Sequence, residues 1–186
     1  MNSQTHSALI WTPELSVHME YLDNQHRSIL RLIDTWWNKL NSGKFNATKE
    51  NLAKIFSFLN RFTQQHLELE ERVLDILEDH FDYSTETVAG HKMRHQVFRD
   101  DIMGHFHQDI MLRARSGDNG MDQLRPIAKW WVSHIKTEDR GYADVLAALT
   151  PERREDLYVH LIDSLLNRPI VIVGYKQFIK ALRQTS

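Results

Sequence analysis

The feature that most constrains the fold of this sequence is a helical period in its apolar residues, sustained over four long segments. Apolar side chains recur every three or four positions in each segment, as they do on one buried face of a helix. The segments cover residues 22–40, about 46–80, about 84–116 and about 122–149. Short loops join them, and no strand-like alternation is visible. The sequence therefore predicts an all-α fold, an antiparallel up-down-up-down four-helix bundle.

The last part of the chain differs from the bundle. Thr150 and Pro151 form a good start signal for a fifth amphipathic helix, which Pro169 ends, and residues 175–182 predict a last helix. We predict two parts, a bundle over residues 1–149 and a C-terminal helical extension over residues 150–186. We expect the extension to pack on the bundle. The alternative is that it joins the chain to a partner, as a dimer contact or as a link to an output domain.

Composition excludes several classes of protein. The 186 residues carry a net charge of −2 and no block of Lys and Arg, which argues against a nucleic-acid partner. No apolar run approaches the roughly 20 residues of a membrane span, and the N-terminus does not read as a signal peptide. Cysteine is absent, which excludes disulfides and thiolate metal sites. We expect a cytoplasmic protein in which any metal is held by nitrogen and oxygen.

The chain has eleven histidines. Each predicted bundle helix carries at least one histidine in a position to bind a metal, and two of the helices add carboxylates at helical spacing. An antiparallel bundle can bring one patch from every helix to a common depth. A single histidine on an apolar face is usually a hydrogen-bonded core residue, but four matching patches indicate a metal centre. The patches are His26; His66 and Glu70; His91 and His95; and His134 with Glu138 and Asp139.

The number of candidate ligands favours two metals. Five imidazoles and two carboxylates exceed the four ligands that one zinc ion takes. We assume that three histidines hold one metal, that His26 and His66 hold the other, and that two carboxylates and a solvent oxygen bridge them. The first metal then has six ligands and the second has five, which leaves an open position at the second. Imidazole combined with carboxylate suits iron.

The spacing on the fourth helix leaves one ligand open. Asp139 follows His134 by five positions, about 140° around an ideal helix, whereas Glu138 follows by four and shares its face better. Either Glu138 is the ligand, or the helix is locally widened by a π-bulge that brings Asp139 round.

Four motifs together resemble, in order, those of the hemerythrins and in particular of the bacteriohemerythrins. The resemblance covers about residues 11–147. The motifs are Asp23-x-Gln25-His26, His66-x-x-x-Glu70-Glu71, His91-x-x-x-His95-x-x-Phe98 and His134-Ile135-x-x-x-Asp139-x-x-Tyr142. The resemblance implies an oxo- or hydroxo-bridged pair of non-haem irons and selects Asp139 over Glu138. It also implies reversible binding of dioxygen, with azide and nitric oxide as other small ligands.

The resemblance also implies a ligand pocket. Dioxygen would bind at the iron held by His26 and His66, and Trp131, Ile135 and Trp130 would line the pocket. The family usually has Trp-Leu before the last histidine motif, whereas this chain has Trp130-Trp131. We expect the larger ring of Trp131 to narrow the pocket and exclude water.

Three roles remain open for such a centre. The first is oxygen carriage, storage or sensing by a protein that is not an enzyme. The second is an oxygen- or redox-sensing input domain of a signalling protein such as a diguanylate cyclase. The third is a di-iron enzyme that acts on peroxide or nitric oxide. The His-Asp dipeptide of one phosphohydrolase class and the His-Glu-x-x-His of zinc peptidases are both absent.

Overall fold

The computed structural model describes residues 10–42, 48–105, 108 and 121–167, and this part of the chain contains helices and no strand. The long helices are α1 (Glu20–Asn41), α2 (Lys49–His80), α3 (Thr85–Val97), α4 (Met121–Ala148) and α5 (Pro151–Asn167). A short 3-10 turn, Pro13–Leu15, precedes α1, and a π-helical segment, Phe98–Met103, continues α3. The predicted all-α fold is confirmed. The predicted helix at 175–182 and the predicted end of the third helix near residue 116 lie outside the described residues.

Side-chain caps fix where the helices begin. The hydroxyl of Thr48 accepts a hydrogen bond from the backbone N–H of Asn51, and that of Ser84 accepts one from Thr87. Each bond satisfies a donor that the first turn of a helix cannot pair internally. Thr150 caps α5 in the same way. The start signal predicted at Thr150 therefore acts as a helix cap, whereas the second helix begins at Lys49, three residues after the predicted position near residue 46.

Two apolar clusters lie at different depths in the bundle. The upper cluster includes Ile29, Leu59, Phe98 and Trp131, and the lower cluster includes Leu22, Leu74, Val88 and Tyr142. The chain passes from the lower cluster to the upper cluster along α1, and from the upper cluster to the lower cluster along α2. It returns to the upper cluster along α3 and the π-helical segment, and to the lower cluster along α4. This alternation shows the up-down-up-down topology. On each of α1 to α4, the candidate ligands lie where the chain passes from one cluster to the other.

The N-terminal arm is tied to the start of α1. The buried carboxylate of Asp23 accepts hydrogen bonds from the Ser16 hydroxyl at 2.6 Å and from the Val17 N–H at 2.8 Å. The guanidinium of Arg27 stacks on the ring of Trp11, 3.8 Å from its centroid. These contacts fix the first turns of α1, on which His26 lies.

The helix α5 packs along α2. Its Leu157 and Leu161 are buried in the lower cluster, and Arg72 of α2 donates to the hydroxyl of Ser164 at 3.2 Å. The division between residues 149 and 150 stays a prediction. None of the helices in the described part of the chain combines the length and apolar character of a membrane span. The cytoplasmic location stays a prediction.

Candidate metal centre

The space between the two apolar clusters is filled by polar side chains that come from all four bundle helices. Each of them is at most 3% exposed. The structure brings together all seven predicted side chains: His26, His66, Glu70, His91, His95, His134 and Asp139. A buried group of this kind needs partners that replace its lost hydration.

Three of the imidazoles form one group. The Nε2 atom of His134 lies 3.1 Å from that of His95 and 3.4 Å from that of His91. Imidazole nitrogens that bind one metal at about 2.1 Å, at right angles to each other, are about 3.0 Å apart. The three nitrogens therefore stand at a separation that fits ligation of one ion. Together with Glu70, they offer ligand atoms that all lie within 4.8 Å of one another.

The other two imidazoles form a second group. The Nε2 atoms of His26 and His66 are 3.2 Å apart, and both side chains are fully buried. This group has one histidine fewer than the first. A metal held here would have one nitrogen ligand fewer than a metal held by the first group.

The carboxylate of Asp139 faces both groups. Its Oδ2 atom lies 3.4 Å from His26 Nε2, whereas its Oδ1 atom lies 3.0 Å from His134 Nε2 and 3.4 Å from His91 Nε2. Glu70 also faces both, because its Oε2 atom lies 3.4 Å from the Nε2 atoms of His66 and His95. Two carboxylates therefore stand between the two groups of imidazoles.

Glu138 is placed differently from Asp139. Its Oε1 atom accepts a hydrogen bond from Arg94 Nε at 2.7 Å, and its Oε2 atom is 3.6 Å from His134 Nδ1, on the outer side of that ring. The helix α4 is a regular α-helix throughout Met121–Ala148, so the π-bulge suggested for it is wrong. The candidate metal centre is surrounded by the four bundle helices. Residues over a wide arc of α4 can therefore face the centre, and Asp139 lies within that arc. The π-helical segment lies elsewhere, after α3.

Outer partners orient several of these side chains. The Nδ1–H of His66 donates to the Oε1 atom of Gln25 at 2.8 Å, and the Nδ1–H of His95 donates to Glu71 at 2.8 Å. The hydroxyl of Tyr142 donates to Glu70 Oε1 at 2.7 Å. These bonds leave the Nε2 atoms of the two rings pointing at the centre. The sequence motifs contain all three partner residues, but their roles depend on contacts between helices.

Burial shifts the protonation of the centre. It lowers the pKa of His26 well below its usual value and that of His91 to about 4. Burial and the neighbouring charge of Glu70 raise the pKa of Asp139 to about 8. Against the effect of burial, the nearby Asp139 carboxylate raises the pKa of His134 well above its usual value. Without a metal, the centre therefore retains protons close to neutral pH.

Several buried atoms of the centre have no hydrogen-bond partner among the described residues. They are both carboxylate oxygens of Asp139, the Oε2 atom of Glu70, and the Nδ1 atoms of His26 and His134. Buried polar atoms are nearly always paired, so these oxygens indicate a missing partner. A cation placed among them would be that partner. The donor set of imidazole and carboxylate suits iron.

The predicted pocket residues pack against the imidazoles. The ring of Trp131 is fully buried, 5.0 Å from the ring of His66 between centroids and 6.4 Å from that of His26. Trp130 stacks on His134 at 4.3 Å. Ile135 is buried in the upper cluster. Trp131 thus lies beside the group with fewer histidines.

The remaining described histidines lie away from the centre. His18 and His105 are exposed, and the rings of His80 and His160 stack on each other at 3.8 Å. His6 and His107 lie outside the described residues.

The fold and the site define a metal-binding four-helix bundle. A family profile described as "Hemerythrin HHE cation binding domain" matches residues 17–146. The chain therefore belongs to the hemerythrin family. Membership of this family and the buried group around Glu70 confirm the predicted cofactor, a pair of iron ions.

Similar proteins carry the name bacteriohemerythrin. One, from Stenotrophomonas maltophilia (strain R551-3), is 25% identical over 141 residues, which cover 75% of this chain and 82% of the relative. Another, from Pseudomonas aeruginosa (strain LESB58), is 24% identical over 139 residues, which cover 74% and 81%. No solved structure matches the chain.

Proposed function

We propose that this chain binds dioxygen reversibly at its di-iron centre and does so without catalysing a reaction. The observation that carries the proposal is the unequal division of the imidazoles, three in one group and two in the other, with Asp139 facing both. Two metals held by these groups would be unequally ligated, which would leave a position for a small ligand at the metal held by His26 and His66. The family and the buried site support this function.

The ligand assignment follows from the two groups. One iron would be held by His91, His95 and His134, the other by His26 and His66, with Glu70 and Asp139 bridging. Bound there, two ferrous ions supply the electrons that dioxygen takes up when it binds.

The side chains of this chain set the surroundings of the ligand position. Gln25 and Glu71 hold two of the imidazoles in orientation through their Nδ1 atoms. The two apolar clusters enclose the centre and exclude water from it. Exclusion of water slows the loss of oxidised products from the centre. A protein that binds dioxygen reversibly must avoid this loss.

An oxygen titration under visible absorption tests the proposal. The iron-loaded chain is reduced without air, titrated with dioxygen, and then flushed with argon. A visible charge-transfer band that appears with dioxygen and disappears on flushing is the expected result. Immediate and irreversible oxidation, with consumption of added peroxide or nitric oxide over many turnovers, would instead support an enzyme.

A variant pair tests the ligand position. His66→Ala should abolish the reversible band, because it removes a nitrogen from the group with fewer histidines. His160→Ala is the matched control, since that imidazole stacks on His80 away from the centre. Equal loss of the band in both variants would contradict the assignment.

A further inference from the structure

Trp131, whose ring packs on His66, and Thr63, one helical turn before His66, each carry a buried polar atom that has no partner among the described residues. These atoms are the indole Nε1 of Trp131 and the hydroxyl Oγ1 of Thr63, and both side chains are 0% exposed. The ring of Trp131 lies 5.0 Å from that of His66. Thr63 precedes His66 by three positions, so it shares that face of α2, one turn away. The ring of Trp131 therefore packs against this half of the centre, and the helical spacing places Thr63 on the same side of α2.

The state of Thr63 is unusual for a threonine in a helix. Such a hydroxyl commonly donates to the carbonyl four residues earlier. Thr35 does so to Arg31 at 2.7 Å, and Thr137 does so to Ser133 at 2.9 Å. Thr63 makes no such bond. Because buried polar groups are nearly always hydrogen-bonded, its hydroxyl and the Trp131 N–H indicate a partner other than the described protein atoms.

The surroundings of Trp131 offer little else to a ligand. Phe98, whose ring centroid is 6.5 Å from that of Trp131, is fully buried, and Ile135 belongs to the same apolar cluster. On the side of Trp131, away from the two carboxylates of the centre, a ligand beside His26 and His66 would meet mainly carbon atoms. An N–H donor there would decide which ligands are held well.

We propose that Trp131 Nε1–H donates a hydrogen bond to the small ligand bound beside His26 and His66, and that the Thr63 hydroxyl supplies a second polar contact. This inference rests on the proposed function and deepens it by naming the specificity-determining residues. The subsite would favour ligands that carry negative charge when bound, such as azide, over neutral ligands. A hydrogen bond to a charged group is also stronger than one to a neutral group.

Azide titration of the oxidised, iron-loaded full chain tests the proposal. Trp131→Phe keeps an aromatic ring and removes the N–H, and Thr63→Val keeps the shape and removes the hydroxyl. We expect the Kd for azide to rise about tenfold in Trp131→Phe, as for loss of a hydrogen bond to a charged group, and severalfold in Thr63→Val. Iron content is measured in every variant.

Two controls match these changes. Trp37→Phe alters another buried indole of the upper cluster, eleven residues after His26 and therefore about 16 Å further along α1. Thr35→Val removes a hydroxyl that is already bonded to its own helix. Both should leave the Kd for azide unchanged. A tenfold rise in Trp37→Phe as well would show that general packing sets azide affinity, and would overturn the proposal.

Two further measurements do not depend on ligand affinity of the variants. In the metal-free chain, Thr63→Val should raise the urea midpoint, because it removes a buried hydroxyl that is unpaired within the described ranges of the protein. A lowered midpoint would show that the hydroxyl is bonded within the protein. In the wild-type chain, azide should shift the ultraviolet resonance Raman band that reports indole N–H hydrogen bonding, and no shift would count against the donor role.

The outcomes separate this inference from the proposed function. If the wild-type chain binds azide and dioxygen while Trp131→Phe and Thr63→Val bind azide with unchanged Kd, the subsite is wrong and the function stands. If the iron-loaded wild-type chain binds neither ligand, both are wrong.

Discussion

Removal of the Tyr142 hydroxyl should lower the free energy of unfolding of the bundle, because Glu70 loses a hydrogen bond. The hydroxyl donates to Glu70 Oε1 at 2.7 Å, and both side chains are 0% exposed. Against the effect of burial, three histidines hold the pKa of Glu70 well below its usual value, so Tyr142 bonds a charged acceptor. Such a bond contributes about 1.5–3 kcal/mol, and no solvent screens it. Tyr142→Phe leaves that oxygen with His91 Nε2 at 3.7 Å, beyond hydrogen-bond distance.

Urea denaturation of the metal-free chain measures this loss. With a slope of about 2 kcal/mol per molar urea, the midpoint should fall by about 1 M. Tyr83→Phe is the matched control, because the buried hydroxyl of Tyr83 has no hydrogen-bond partner in the described part of the chain and its removal should not lower the midpoint. Iron affinity should also fall by about 10- to 100-fold in Tyr142→Phe, since the hydroxyl orients a carboxylate of the centre. Equal midpoints in the two variants would refute the reasoning.

Three other perturbations test separate features. Asp139→Ala should lose iron and Glu138→Ala should retain it, by metal analysis, because only Asp139 faces the imidazoles. Truncation after Leu149 should keep iron but lower the Tm by roughly 10 °C, since the buried leucines of α5 are lost. Iron affinity, measured by chelator competition, should rise from about pH 6 to about pH 8, because the raised pKa values of His134 and Asp139 mean that iron must displace protons.

The helices and their order were predictable because the physical signals are local. An apolar period of three to four residues and a capping hydroxyl such as that of Ser84 act within one or two turns. The π-helical segment after Val97 was not predicted, since its residues continue the apolar stripe of α3 without a distinct signal.

The centre was predictable in its residue types but not in its internal contacts. The spacing rule favoured Glu138, because it treats a helix face as a narrow stripe, whereas this centre is surrounded by helices; only the family motif selected Asp139. The hydrogen bonds that His66 donates to Gln25 and that Tyr142 donates to Glu70 cross between helices. Their existence depends on how the helices are rotated against each other, which one sequence does not specify.

The position of the metal centre between two apolar clusters has a consequence for cooperativity. Each cluster holds side chains from all four helices together, but in the polar layer between them several buried atoms have no hydrogen-bond partner among the described residues. In the metal-free chain, the two apolar clusters are therefore well packed, whereas the polar layer that joins them is less stable. The two halves of the bundle can then open at different free energies. Iron ligated from every helix joins them, so the loaded bundle should open as a single unit. Native-state hydrogen exchange should show two classes of slow amide protons before iron is added and one class afterwards.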